Sequence, residues 1–182
     1  MDSPQFPWAV SAGAVLFDFD GHDRACFGSR IRAEGRTVSP GATAIHGITT
    51  REAGRGGIPE LIALGVICAY ASEAKFLVGF NVEFDRAILE AALIRLGKDT
   101  RKLVRPGLAV VDLMKPAAAF TKLPSERDTG EYRWPRLDDA LTIIRNERPR
   151  QGHHDALRDA YAAKRLFLSL KSRGALEIEA AA

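Results

Sequence analysis

Two stretches of this chain place ionisable side chains where an α/β protein does its chemistry. In "FLVGFNVEFDRAIL" an apolar run, Phe76–Phe80, reads as a short buried strand ending at Asn81, and Asp85 falls in the first turn of the helix that follows. The carboxyl end of a strand opens onto the crevice where such sheets bind ligands. A carboxylate there can hold a cation; alternatively Asn81 caps the helix and Asp85 answers its dipole. In "GHHDALRDAYAAKRLF" His154 precedes a helix and Asp159 lies inside it, five positions on. An imidazole that titrates near neutrality can take a proton from water. A nearby carboxylate can hold a divalent cation that acidifies that water. The structural alternative makes His153 and Asp155 caps and pairs Asp159 with Arg158 or Lys164.

A third stretch, "ATAIHGITTREAG", makes a turn at His46-Gly47 and a helix cap at Ile48-Thr49. The fourth, "GAVLFDFDG", ends an apolar run in Asp18, Asp20 and Gly21. It resembles the nucleophile loop of haloacid-dehalogenase-type phosphatases. That family needs Thr or Val after the glycine, and His22 stands there. A metal-binding carboxylate pair is a second reading. The favoured third is a hairpin turn, because Asp and Gly are what such a turn wants.

Around these residues the elements alternate in type. "WAVSAGAVLFD" and "RACFGSRIRA" read as a β-hairpin. "RTVSPGATAIHG" is broken by Pro and Gly and reads as connection, and Thr49 with Glu52 fits a capping box. "IPELIALGVICAYASEAK" reads as a helix with Pro59 in its first turn. "EFDRAILEAALIRLG" is an amphipathic helix ended by Gly97. "GLAVVDLM" is a second buried strand, and "RLDDALTIIRNE" and "DALRDAYAAKRLFLSLKSRG" are further helices. A meander followed by alternating helices and strands predicts a mixed α/β sheet flanked by helices on both faces. Lys122–Pro135 is the long irregular segment, where Arg127 and Arg133, with Arg136 just beyond, could touch phosphates.

Composition excludes several classes. The 182 residues suit one domain, 1–182, with no second domain or internal repeat. Hydrophobic content of 46% against 27% charged is globular rather than disordered. The best apolar run, Leu61–Ala71, is far short of the roughly 20 residues that span a bilayer, so no membrane partner is expected. Cys26 and Cys68 lack metal-ligand spacing and fit a reducing, cytoplasmic setting. A net charge of +3 and a pI near 9.0 are compatible with nucleic acid without implying it.

Taken together, "HGIT", "FNVEFD" and "HHDALRDA" stand in the order and approximate spacing of the DnaQ-like, DEDDh-type 3′–5′ exonucleases, whose fold is ribonuclease H-like. The resemblance runs from about Trp8 to Leu170; "VVDLM" and "LDDAL" also match a strand and a helix of that family. It implies a two-metal nuclease using Mg²⁺ or Mn²⁺, with Asp85 and Asp159 as metal-binding carboxylates and His154 as general base. His46, Gly47, Ile48, Asn81 and Phe84 would shape the pocket for the chain end. The implied partner is a single-stranded DNA or RNA 3′ end; a homo-oligomer and a polymerase or repair partner are left open. The family's first motif, Asp-x-Glu on the central strand, has no match. Aligned backwards from "HGIT", the hairpin takes the second and third strands. The central strand then lies upstream of Met1, or "WAVSAGAVLFD" has taken its place, or a second chain supplies it. Two hypotheses follow: a 3′–5′ exonuclease impaired by the missing motif, or an inactive relative that binds nucleic acid or a protein.

Overall fold

The computed structural model describes residues 7–125, 132–149, 152, 155–176 and 178. Strands β1 (Ser11–Phe17) and β2 (Asp23–Arg30) form the expected antiparallel hairpin, with Gly13 opposite Gly28 and Leu16 opposite Ala25. Helices α1 (Pro40–His46), α2 (Thr50–Arg55) and α3 (Glu60–Glu73) follow. Strand β3 (Phe76–Gly79), α4 (Val82–Arg95) and β4 (Ala109–Asp112) then make a parallel pair crossed by a helix. Helices α5 (Met114–Thr121), α6 (Leu137–Arg145) and α7 (Ala156–Ser172) complete the described fold.

Side chains alternate along β1, as a strand requires. Ala12 and Ala14 turn to one face and pack with Leu64 and Ile67 of α3 and Leu93 of α4. Gly13 and Phe17 turn to the other, where α7 lies. Val78 of β3 and Val111 of β4 join that second cluster, built on Leu166, Phe167 and Leu170 of α7 and Leu141 of α6. Helices therefore cover both faces.

The paired glycines explain how α7 comes so close. A Cβ on Gly13 would stand 2.3 Å from the backbone of Ala156, and one on Gly28 would stand 2.7 Å from Leu157 Cβ. Only a bare backbone leaves room for the first turn of α7 there, and Asp159 rides on that turn.

Three features depart from expectation. The 36–47 connection contains α1: Ser39 Oγ accepts the Ala42 N–H at 3.2 Å, and Pro40 takes a position where its missing N–H costs nothing. Helix α5, an alanine-rich turn after "VVDLM", was not read from the sequence. The strands, finally, pair as two separate two-stranded sheets rather than one. Among the described residues no backbone hydrogen bond joins β1 to β3, so β1 has not taken the place of a central strand paired with β3. No helix among the described residues is long and apolar enough to cross a membrane.

Candidate active site

The site begins where β3 and β4 end. Asp112 closes β4, and its Oδ1 accepts the N–H of Asn81 at 3.1 Å and that of Met114 at 2.8 Å. One carboxylate thus ties the exit of β3 to the start of α5. Asn81 takes the left-handed conformation (φ 62°), and its side chain makes no capping bond to α4. The sequence expectation of an Asn81 cap is corrected: a left-handed residue turns its side chain out of the capping position, and Asn81 stands exposed.

Asp85 lies in the first turn of α4. A helix N-terminus favours a carboxylate, yet the Asp85 carboxyl is pushed up to about 6 by burial first, then by the charges of Asp159 and Asp112. Asp85 is nonetheless open to solvent. The structure therefore brings Asp85 and Asp159 into electrostatic contact and adds Asp112. That third residue was passed over in the sequence, although a carboxylate ending a buried strand is the same signal that singled out Asp85.

Asp155 caps α7, its Oδ1 accepting the Arg158 N–H at 2.9 Å. Lys164, one of the two suggested partners of Asp159, bonds Asp23 on β2. His154 and Arg127 lie outside the described residues. His46 Nδ1 accepts the Ile48 N–H at 3.0 Å, and Gly47 supplies the left-handed turn (φ 73°) that makes this contact. Ile48 is buried against Ala33, Ala53 and Val10, just before β1. Phe84 is exposed, presenting its ring to solvent. Arg133 faces Asp139 at 3.7 Å, and Arg136 donates its backbone N–H to the same carboxylate.

The hairpin tip differs in kind. Asp18 Oδ1 accepts the N–H groups of Asp20 (3.0 Å) and His22 (2.8 Å), while Oδ2 lies 3.1 Å from His22 Nδ1. Among the described residues Asp18, Asp20 and His22 are the one group of three donors within 4.8 Å of one another; Asp85, Asp112 and Asp159 are not drawn that close. Position separates the two groups. Lys171 reaches the Phe19 carbonyl, and the Phe19 ring lies 6.3 Å from that of Phe76, at the start of β3. Lys171 is twelve residues beyond Asp159, about 18 Å along the helix. The tip thus occupies the opposite end of α7 and cannot supply carboxylates to Asp85 and Asp159. It is a turn, with Asp18 satisfying the turn's own N–H groups.

These elements build a ribonuclease H-like α/β fold: small sheets, helices on both faces, and acidic residues on the helix after β3 and at the start of α7. Solved structures of E. coli Exonuclease I share it. The complex with a 5cy-dT13 oligonucleotide is 23% identical and superposes with a TM-score of 0.70 over 90% of this chain. The complex with a dA16 oligonucleotide gives 21% and 0.72 over 94%, and the zinc-bound complex with single-stranded DNA gives 22% and 0.69 over 88%. The chain spans 36–38% of the length of these relatives. No family model and no curated protein matches the chain.

Proposed function

We propose that this domain is a metal-dependent 3′–5′ exonuclease acting on single-stranded nucleic-acid ends. The observation that carries the reading is the rise of Asp85 to about 6 beside Asp159 and Asp112. Burial and like charge both raise the Asp85 carboxyl, and a cation seated among such carboxylates offsets that cost, so the donor set fits Mg²⁺ or Mn²⁺. Asp85 and Asp159 would hold the metal, with Asp112 kept in place by its two N–H donors. When bound, such cations acidify water and offset charge on the attacking and leaving oxygens at phosphorus.

The chain's own residues do the rest. His154 takes the proton of the attacking water. The turn at His46, Gly47 and Ile48 and the exposed ring of Phe84 receive the terminal nucleotide, an aromatic face being able to stack on any base. Arg133 and Arg136 position phosphates without reading sequence. The fold shared with structures that hold single-stranded DNA oligonucleotides supports that class of substrate.

One observation favours a second reading, a binding module without catalysis: the three aspartates stand further apart than a chelating group does. Degradation of a 5′-labelled single-stranded oligonucleotide with Mn²⁺ separates the two. A product ladder that vanishes in Asp159→Ala supports the nuclease. Binding that is indifferent to cations and to Asp159, with no products, supports the module.

A further inference from the structure

Helix α3 is apolar all round. Between Glu60 and Glu73, at its two ends, it carries no charged side chain. A helix of that kind belongs inside a core, yet only one face of α3 reaches one. Ala63, Leu64 and Ile67 pack with Ala12 of β1 and Leu93 of α4. The opposite face is bare. Leu61 and Ile62 are 48% and 54% exposed, and Gly65 and Ala69, both exposed, continue the same stripe at helical spacing. A Cβ built on Gly65 would meet nothing within 4 Å, so nothing among the described residues lies over the centre of this face. Contiguous apolar surface of this sort marks a place where another surface docks.

We propose that this face binds the same face of a second copy of the chain, α3 crossing α3 antiparallel about a two-fold axis at Gly65. Size and charge select that partner and that register. A two-fold contact sets each residue against the one equally far beyond the axis. With the axis at Gly65, Leu61 meets the partner's Ala69, a large side chain against a small one. Bare backbone on the axis lets the helices approach toward the short end of the usual range of about 8–10 Å. Glu73 then reaches the stretch just ahead of the partner's α3, where Arg32 donates to the Gly57 carbonyl at 3.3 Å. Arg32 and Glu73 are both exposed, so one Glu73–Arg32 pair closes each end of the contact. A parallel crossing would set Glu73 beside Glu73, like against like. The stripe is one helix of 14 residues wide and long, smaller than the roughly 1,200–2,000 Å² of a standard interface, so the dimer is weak, with a Kd on the order of tens of micromolar. The inference rests on α3 and stands independently of the nuclease reading.

Sedimentation equilibrium of the 182-residue chain, without metal and from about 2 to 500 µM, tests this. The average mass is expected to rise from one chain toward two across that range. Gly65→Leu puts a good helix former in an exposed helix interior, so the fold is kept, but it sets two bulky side chains on the axis. It should weaken association by about tenfold or more. Glu73→Arg and Arg32→Glu should each weaken it about fivefold at low salt. The two changes together should bring it back to within about twofold of the parent, because a contact between copies re-pairs the swapped charges. A monomer at every concentration, a dimer indifferent to Gly65→Leu, or a double variant no better than either single one would each overturn the proposal. So would capture of a monomer by phosphatidylcholine vesicles, which assigns the face to a lipid surface. The nuclease reading fails on other evidence, loss of the Mn²⁺-dependent ladder, so the two failures are distinguishable.

Discussion

Two acidic groups lie toward opposite ends of α7, and their surroundings shift them in opposite directions. At the hairpin tip, Asp18 is held below the usual carboxylate range, chiefly by the His22 backbone N–H, with further help from the His22 ring and the Asp20 N–H. At the other end, Asp85 is driven up by desolvation and by Asp159 and Asp112. The tip has the tighter geometry; the inner group has a carboxyl raised by burial and by its like-charged neighbours. A carboxylate lowered by its own N–H donors has less to gain from a cation than one raised in this way. Proximity therefore favours the tip as a cation site, and electrostatics favours the inner group proposed above.

Activity offers the sharpest break between them. Asp159→Ala and Asp85→Ala should each reduce Mn²⁺-dependent trimming of a single-stranded oligonucleotide by more than about 100-fold, the upper range for residues one layer outside a metal. Asp18→Ala should leave the rate within about twofold, since the tip packs on the C-terminal half of α7, at Leu168 and Lys171, while Asp159 lies in its first turn. If Asp18→Ala proved as damaging as Asp159→Ala, the assignment of the tip as a turn would be lost.

The seat of α7 tests whether position, and not only charge, makes the inner group. Gly13→Ala places a methyl where the Ala156 backbone now lies, 2.3 Å away. Overpacking of this kind costs about 1–3 kcal/mol, and urea unfolding measures it. Because Asp159 is three residues past Ala156, the displaced helix should lose activity out of proportion to its stability. The same substitution at Gly35, where an added Cβ meets nothing within 4 Å, has no such neighbour to displace; as Gly35 is left-handed (φ 86°), it should cost stability alone.

Much of this was legible from side-chain period and punctuation. Alternation marked the hairpin, and Gly97 marked the end of the amphipathic pattern that became α4. Asp85 and Asp159 were legible because each opens a helix after a recognisable break. What escaped was decided by tertiary contact. Asp112 looks like any strand-ending residue until Asn81 and Met114 donate to it. The short helix at Pro40 hid behind its own proline and glycine. The cap expected at Asn81 failed because left-handed backbone there was not encoded in any local pattern. The division of the sheet into two pairs was equally invisible, since strand pairing is a long-range fact.

The smallest and most discriminating prediction concerns pH. Asp85 has a folded value near 6 against an ordinary 3.8. Between those values the unfolded chain has lost the proton and the folded chain keeps it, so stability falls as pH rises from about 4 to 6. Because Asp85 is open to water, screening trims the effect to roughly 1 kcal/mol. Asp18 has the opposite sign: its folded value is lowered, so its contribution is present above 3.8 and is lost as pH falls through that folded value. Urea midpoints from pH 3 to 7 should thus show a shallow decline between 4 and 6 that Asp85→Asn abolishes and Asp18→Asn leaves intact. Adding Mn²⁺ should flatten the same decline in the parent chain, because a cation between the carboxylates removes the reason for Asp85 to hold its proton. A decline that persisted unchanged in saturating Mn²⁺ would show that burial alone raises Asp85 and that the inner group holds no metal.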